Sequence, residues 1–225
     1  MSEFQFSSIS SSILPRPRSS TLVEALDLLQ KAALFMIIAT LLVSIGIIAS
    51  FMGILGISIV VPYPRPHEVP RPHIVAPAFG LAIVITTIGI AIAGAILALY
   101  AIFGKLLPSA SKFSEYDPEF STSATLMKIG LIVGFILLIV GFATVIILIG
   151  IPMIILAFIF LLIGLVGIAI LCFKLYSKFN STIFLVAGIL FIISIFVSIL
   201  GFVAWILVYV EAGTLKEKAL RGEIA

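Results

Sequence analysis

Charge is missing where this chain is most apolar: residues 32–64, 74–104, 129–173 and 179–210 contain no Asp, Glu, Lys, Arg or His. Ionisable groups are costly at bilayer depth and are kept there where an ion pathway, a proton relay or a haem pocket uses them. Their lack points away from all three activities. Cysteine occurs once, at Cys172, which rules out an intrachain disulfide and a CxxC redox or metal site and leaves it as a small apolar packing residue. Amides are scarce too, with one Asn and two Gln. That depletion fits a hot habitat and equally a membrane composition. The first 21 residues, with eight serines, Pro15 and Pro17, have no apolar core of the kind a cleavable leader needs, so no signal peptide is expected.

Hydrocarbon dominates what is present. Hydrophobic residues make up 62% of the 225, charged residues 10%, and the mean hydropathy is +1.37. Each charge-free run exceeds the roughly 20 residues that cross a hydrocarbon core about 30 Å thick. Lipid leaves the backbone two spanning forms, helix or closed barrel, and continuous Ile, Leu, Val and Phe without period-2 alternation select helix. The expected fold is an all-α polytopic membrane bundle of about five transmembrane helices. The net charge of +3 is scattered over loops and tails, without the basic stripe that nucleic acid requires, so no nucleic-acid partner is expected.

Along the chain, residues 1–21 read as a disordered Ser/Pro tail, 22–211 as one transmembrane helical domain, and 212–225 as a charged C-terminal tail. Thr21 and Glu24 stand at capping-box spacing, and Leu22, Ala25, Leu26 and Leu29 recur at helical intervals. This predicts an amphipathic start at the interface leading into a first span at 32–61. Residues 62–77 hold six of the eleven prolines and repeat Pro-Arg-Pro-His at Pro64–His67 and Pro70–His73, which predicts a stiff, solvated connector. A second span follows at 78–103, then a polar loop over 104–128. The 45-residue run after it is too long for one span, and Gly150, Ile151 and Pro152 divide it into a tight helical hairpin, 129–149 and 153–173. The fifth span is expected at 183–210. Five spans place eight of the thirteen basic residues on the N-terminal side, making the N-terminus cytoplasmic in the cell membrane; six spans or an inverted arrangement is the alternative.

Small residues form stripes at Gly46, Ser50, Gly53 and Gly56, at Thr87, Ala91, Ala95 and Ala98, at Gly130, Gly134 and Gly141, and at Ser194, Ser198 and Gly201. Such stripes allow the close backbone approach that holds helices together in lipid. His67 and His73 would lie about 18 Å apart on a polyproline-like segment, too far to share an ion, so no metal site is assigned. Asn180-Ser181-Thr182 spells a sequon, but Asn180 reads better as the cap of the fifth helix. Glu115, Asp117 and Glu119 alternate in a segment expected to be extended and solvated, with no partner His or nucleophile. Trp205, Tyr209, Tyr100 and Tyr176 are expected at the interfaces. No catalytic, cofactor-binding or metal-ligating residue is assigned.

Four segments carry a family resemblance: Ala25-Leu26-Asp27-Leu28-Leu29-Gln30-Lys31-Ala32-Ala33; Leu107 to Phe120 leading into Gly130 and Gly134; Phe173-Lys174-Leu175-Tyr176-Ser177-Lys178-Phe179-Asn180; and Gly188-Ile189-Leu190. In these the chain resembles an archaeal membrane family, the domain-of-unknown-function 973 family. The resemblance implies a multi-pass membrane protein of a type common in heat- and acid-loving lineages, and carries over no catalytic residue. The reading reached is a noncatalytic structural or accessory subunit, its partners other membrane subunits, membrane lipids or further copies of itself as a homo-oligomer. A transporter or channel for a neutral or apolar solute is the alternative.

Overall fold

A computed structural model describes residues 18–59, 75–145 and 148–224, with side chains over 20–52, 82–145 and 148–224. All secondary structure among them is helical. In chain order the elements are α1 (Arg18–Ile59), α2 (Val75–Ala101), a π-helical turn (Ile102–Leu106), α3 (Leu107–Tyr116), a 3-10 turn (Pro118–Phe120), α4 (Ser121–Thr144), α5 (Gly150–Phe179), α6 (Thr182–Ile193) and α7 (Ile199–Leu220). Five helical stretches are long and apolar enough to cross a membrane: Ser20–Met52, Ala82–Tyr116, Pro118–Thr144, Gly150–Phe179 and Ile199–Leu220. The chain is a multi-pass integral membrane protein.

Two antiparallel hairpins form its arms. In the first, α1 and α2 approach where Gly46, Gly94 and Ala91 leave no bulk between them; a Cβ on Gly46 would sit 3.0 Å from the Thr87 carbonyl oxygen. A hydroxyl pair, Ser50 to Thr87 at 2.6 Å, satisfies polar groups inside this seam. In the second, α4 meets α5 even more closely. A Cβ on Gly130 would lie 2.7 Å from the Phe160 carbonyl oxygen and one on Gly167 2.8 Å from the Met127 nitrogen, so glycine is what permits the contact. The turn between these helices begins at Val145, and α5 starts at Gly150 with Pro152 inside its first turn, where a missing amide costs no helical bond. The hairpin expected here forms, but it turns between Thr144 and Gly150, just before the split expected at 150–152, whose residues make the first turn of α5.

The segment expected as one span, 183–210, is not a single helix. It breaks at 194–198, and α7 folds back along α6. The rings of Phe191 and Trp205 stack edge-on with centroids 4.9 Å apart, and the Ser181 hydroxyl donates to Glu211 at 2.6 Å. In one straight helix 181 and 211 would be separated by about 45 Å. Twelve-residue α6 reaches only about 18 Å, short of a bilayer core. The pair is therefore a hairpin that re-enters the end it leaves: α7, itself long and apolar enough to cross a membrane, returns to the end where α6 began.

This reversal moves the C-terminus. Lys216 at the end of α7 donates to Asp27 (3.2 Å) and Gln30 (2.8 Å) near the start of α1, so the C-terminal tail lies beside the N-terminal segment, not across the membrane from it as five crossings require. Every Lys, Arg, Asp and Glu among the described residues then belongs to one end of the molecule. The two basic residues between α1 and α2 in sequence, Arg65 and Arg71, lie outside the described residues, as do His67, His73, the proline-rich segment up to residue 74 and most of the Ser/Pro tail; residues 75–77, expected to belong to that connector, already form the start of α2.

The core sits at that charged end. Leu22, Leu26, Phe113, Phe120, Leu175 and Phe184 are fully buried there or nearly so. Three sequence expectations change accordingly. Residues 104–128 are a run of helical turns whose apolar faces enter the core, not a polar loop. The amphipathic stretch 22–31 is the first part of α1 and buries its apolar face against α3 and α7 rather than lying on the membrane surface. Helix α1 is already formed at Arg18, so Thr21 is within it and does not cap it, and residues 18–21 of the expected tail are helical; residues 1–17 lie outside the described residues. Away from this hub the arms separate: α2 makes no extended packing with α4 or α5, and the outer faces carry exposed Ile45, Ile48, Phe51, Ile139 and Phe142, as lipid contact demands.

Candidate functional site

Where the arms part above the re-entrant hairpin, an apolar cleft of about 340 Å³ opens. Leu131 and Phe135 of α4, Leu161, Leu165 and Ile168 of α5, Met36 of α1, Ile102 and Leu106 of the π turn, and Trp205 of α7 line it. Its size falls at the lower end of small-ligand sites. The π turn supplies one lip because its extra residue per turn rotates α2 before Pro108 restarts regular helix in α3. Phe103 on that turn packs edge-on against Phe135 with ring centroids 5.5 Å apart, tying the first arm to the second at the cleft. Trp205 is 6% exposed and forms part of the wall, in contrast to the interfacial position expected for it. Tyr100 and Tyr176 are exposed near the charged end. A groove of about 510 Å³ on the outer side of the α1–α2 hairpin, between Gly46, Ser50, Ile88 and Ala95, is shallower and carries no polar convergence.

The charged cap over the cleft is mostly paired. Lys31 meets Asp27 at 2.6 Å, Lys112 meets Glu115 at 3.0 Å and Glu24 at 3.6 Å, and Lys178 meets Asp117 at 2.6 Å. Lys174 donates to the Glu119 carbonyl oxygen. These partly exposed pairs contribute up to about 1 kcal/mol each, and they fix loop geometry more than overall stability. Lys105 and Lys128 have no carboxylate partner among the described residues; the neighbour of Lys105 is the Tyr100 ring, 5.7 Å away.

The carboxylates singled out in the sequence do not converge. Glu115 belongs to the end of α3, and Asp117 accepts from the Glu119 amide at 2.9 Å, capping the 3-10 turn that the sequence pattern represents as extended chain. Asn180 ends α5 in the left-handed conformation (φ 52) and does not cap α6. Ser181 holds the N-cap position of α6, but its hydroxyl goes to Glu211 instead of to a helix amide. Cys172 is buried in the core, as expected of a packing residue. Among the described residues no three His, Cys, Asp or Glu side chains gather as a metal site would need.

Sequence reasoning missed one residue of note, Glu211, a carboxylate 7% exposed at the mouth of the re-entrant hairpin. A signal existed in its position: it follows twelve apolar residues of α7 and precedes Ala212 and Gly213, small residues that bring α7 against α1, where a Cβ on Gly213 would press on Gln30. No curated protein and no solved structure is significantly similar to the chain. The pattern of one family, described as a protein of unknown function (DUF973), matches residues 23–223, which covers the charged hub, both arms and the re-entrant hairpin, and the chain belongs to that family.

Proposed function

We propose that this protein is a noncatalytic structural or accessory subunit of a larger membrane complex. The tip of the re-entrant hairpin carries the reading. Residues 194–198 are irregular, lie about 18 Å from the charged end, and leave Phe196 85% exposed. Non-helical backbone at such depth persists where protein covers it or water reaches it. The side chains around the tip, Ile195, Phe196, Val197 and Ile199, are apolar and exposed, which favours a protein cover over water. Among the described residues Gly46 and Gly94 of the first arm and Gly130, Gly134, Gly164 and Gly167 of the second pack within the chain, while Gly53 and Gly56 lie outside the described side chains; the tip is the better candidate for the contact with a partner subunit or a second copy. The charged end, with the start of α1 and the end of α7, faces the cytoplasm of the cell membrane in this reading, because Lys216, Lys218 and Arg221 add to the basic residues already on the N-terminal side. A photo-crosslinking residue at Phe196 in native membranes, followed by mass measurement of mild-detergent particles, tests it. Polypeptide adducts are expected; a monomeric particle labelled on lipid alone would defeat the proposal.

Transport of a neutral or apolar solute is the second reading, favoured by the cleft and by the break in the α6–α7 segment, since interrupted helices line substrate sites in many carriers. Solute flux into reconstituted vesicles, abolished by Leu131→Trp, is its expected signature.

A further inference from the structure

We infer that the cleft between the arms binds one membrane lipid bearing an anionic phosphate headgroup, with the headgroup on Lys105 and Lys128 and a hydrocarbon chain in the slot. The slot is lined almost wholly by carbon, from Phe135, Leu161, Leu165, Ile168 and Trp205, and opens to the side where the arms diverge, so hydrocarbon enters it from the bilayer without crossing polar surface. Nothing in it recognises a polar solute. Charge is available at its upper rim. Lys128 precedes Leu131 and Phe135 by three and seven residues, so it shares their face of α4 and stands about two turns nearer the charged end than Phe135. Lys105 lies in sequence between the lining residues Ile102 and Leu106 of the π turn, its ammonium 5.7 Å from the Tyr100 ring and within a stem's swing of the cleft, and the Phe103–Phe135 contact ties that turn to α4.

Lys31, Lys112, Lys178 and Lys216 are each matched by a carboxylate; among the described residues Lys105, Lys128, Lys174 and Lys218 are not, and of these four Lys105 and Lys128 are the ones that neighbour cleft-lining residues in sequence. A pair of cations without acidic partners above an apolar slot matches the two halves of an anionic lipid. Long lysine stems allow both ammonium groups to reach the headgroup level while their methylenes stay against the helices. A zwitterionic lipid of equal chain length fills the same slot but gains no net charge interaction.

The full-length protein is purified in mild detergent and examined by native mass spectrometry after exchange with phosphatidylglycerol and phosphatidylcholine of identical chains. Each basic residue near an anionic headgroup shifts partitioning about fivefold, so the pair is expected to give about a thirtyfold preference for phosphatidylglycerol. Lys105→Gln with Lys128→Gln abolishes the preference while retaining a bound lipid, and Ile168→Trp, which fills the slot, removes retention of both lipids. Lys218→Gln with Arg221→Gln serves as a charge-matched control and leaves the preference intact. Inorganic phosphate fails to displace the lipid, because it lacks the chain. Equal retention of the two lipids by the wild type, or an undiminished preference in the double variant, overturns the inference; displacement by phosphate alone also overturns it by assigning the lysines to a free anion.

Discussion

The re-entrant hairpin is held shut at its open end by one hydrogen bond, and removing the donor measures how much the hairpin depends on it. Ser181 and Glu211 are 8% and 7% exposed, and the hydroxyl donates to the carboxylate over 2.6 Å. Ser181→Ala deletes the donor and leaves the carboxylate in a nearly dry site. Hydrogen bonds to charged groups contribute about 1.5–3 kcal/mol, and a buried group left without a partner costs a similar amount. A loss of about 2 kcal/mol is therefore expected, a shift of roughly thirtyfold in the unfolding equilibrium. Glu211→Gln keeps an acceptor oxygen and should lose less. Reversible unfolding in mixed micelles, followed by tryptophan emission, is the assay, since Trp205 packs on Phe191 inside the same hairpin. A double-mutant cycle between Ser181→Ala and Glu211→Ala should give a coupling of about 1 kcal/mol or more, as expected of residues in direct contact. Strict additivity of the two substitutions would refute the clamp, and so would unchanged stability of Ser181→Ala.

Topology gives a second prediction: in a Cys172→Ser background, cysteines at Lys218 and Lys112 react with an impermeant thiol reagent from the same side of sealed vesicles, and one at Leu148 from the other; labelling of Lys218→Cys from the Leu148 side would mean that 183–210 crosses the membrane after all. Gly130→Ala puts its Cβ 2.7 Å from the Phe160 carbonyl oxygen and should cost about 1–3 kcal/mol, whereas Gly89→Ala meets nothing within 4 Å and should stabilise α2 by about 0.5–1 kcal/mol; calorimetry in one detergent compares the two. Lys178→Met is expected to change stability by no more than about 1 kcal/mol, because Lys178 is 38% exposed and its pair with Asp117 is partly screened; a loss several times larger would show that the cap is a buried network instead.

The helical class, the apolar runs and the turn just before Gly150–Pro152 were legible because lipid imposes them locally: length, lack of charge and a Gly-Pro signal need no knowledge of the partner helix. The break at 194–198 was not. Ser194 and Ser198 are ordinary helix residues in a membrane, and Ile195, Phe196 and Val197 continue the apolar run without Gly or Pro, so hydropathy and periodicity extend straight through the point where the chain turns. What reverses it is tertiary: Phe191 against Trp205, Ser181 against Glu211, and Lys216 against Asp27, contacts between residues far apart in sequence. The stretch 104–128 was misread for a related reason. Its charges occupy one side of short helices whose other side places Leu106, Phe113 and Phe120 in the core, and composition alone averages the two sides together.

The hub and the arms obey different physics, and the cleft arises at their boundary. At the charged end, polar groups and large apolar side chains coexist, so aqueous hydrophobic burial, ion pairs and hydrogen bonds can all hold α1, α3, α5, α6 and α7 together. Beyond it the helices are embedded in hydrocarbon as apolar as their own side chains, and only close packing draws them together. The glycine seams supply that within each arm. Between the arms the facing residues are Met36, Phe135, Phe158 and Leu162, too large for backbones to approach, so nothing closes the gap. The hydrocarbon-lined gap below a charged hub and the exposed irregular tip at 194–198 are two separate features. An occupant with a chain and a phosphate suits the first, a second protein surface the second, and the two act at separate residues: substitutions at Lys105 and Lys128 should leave assembly through Phe196 intact.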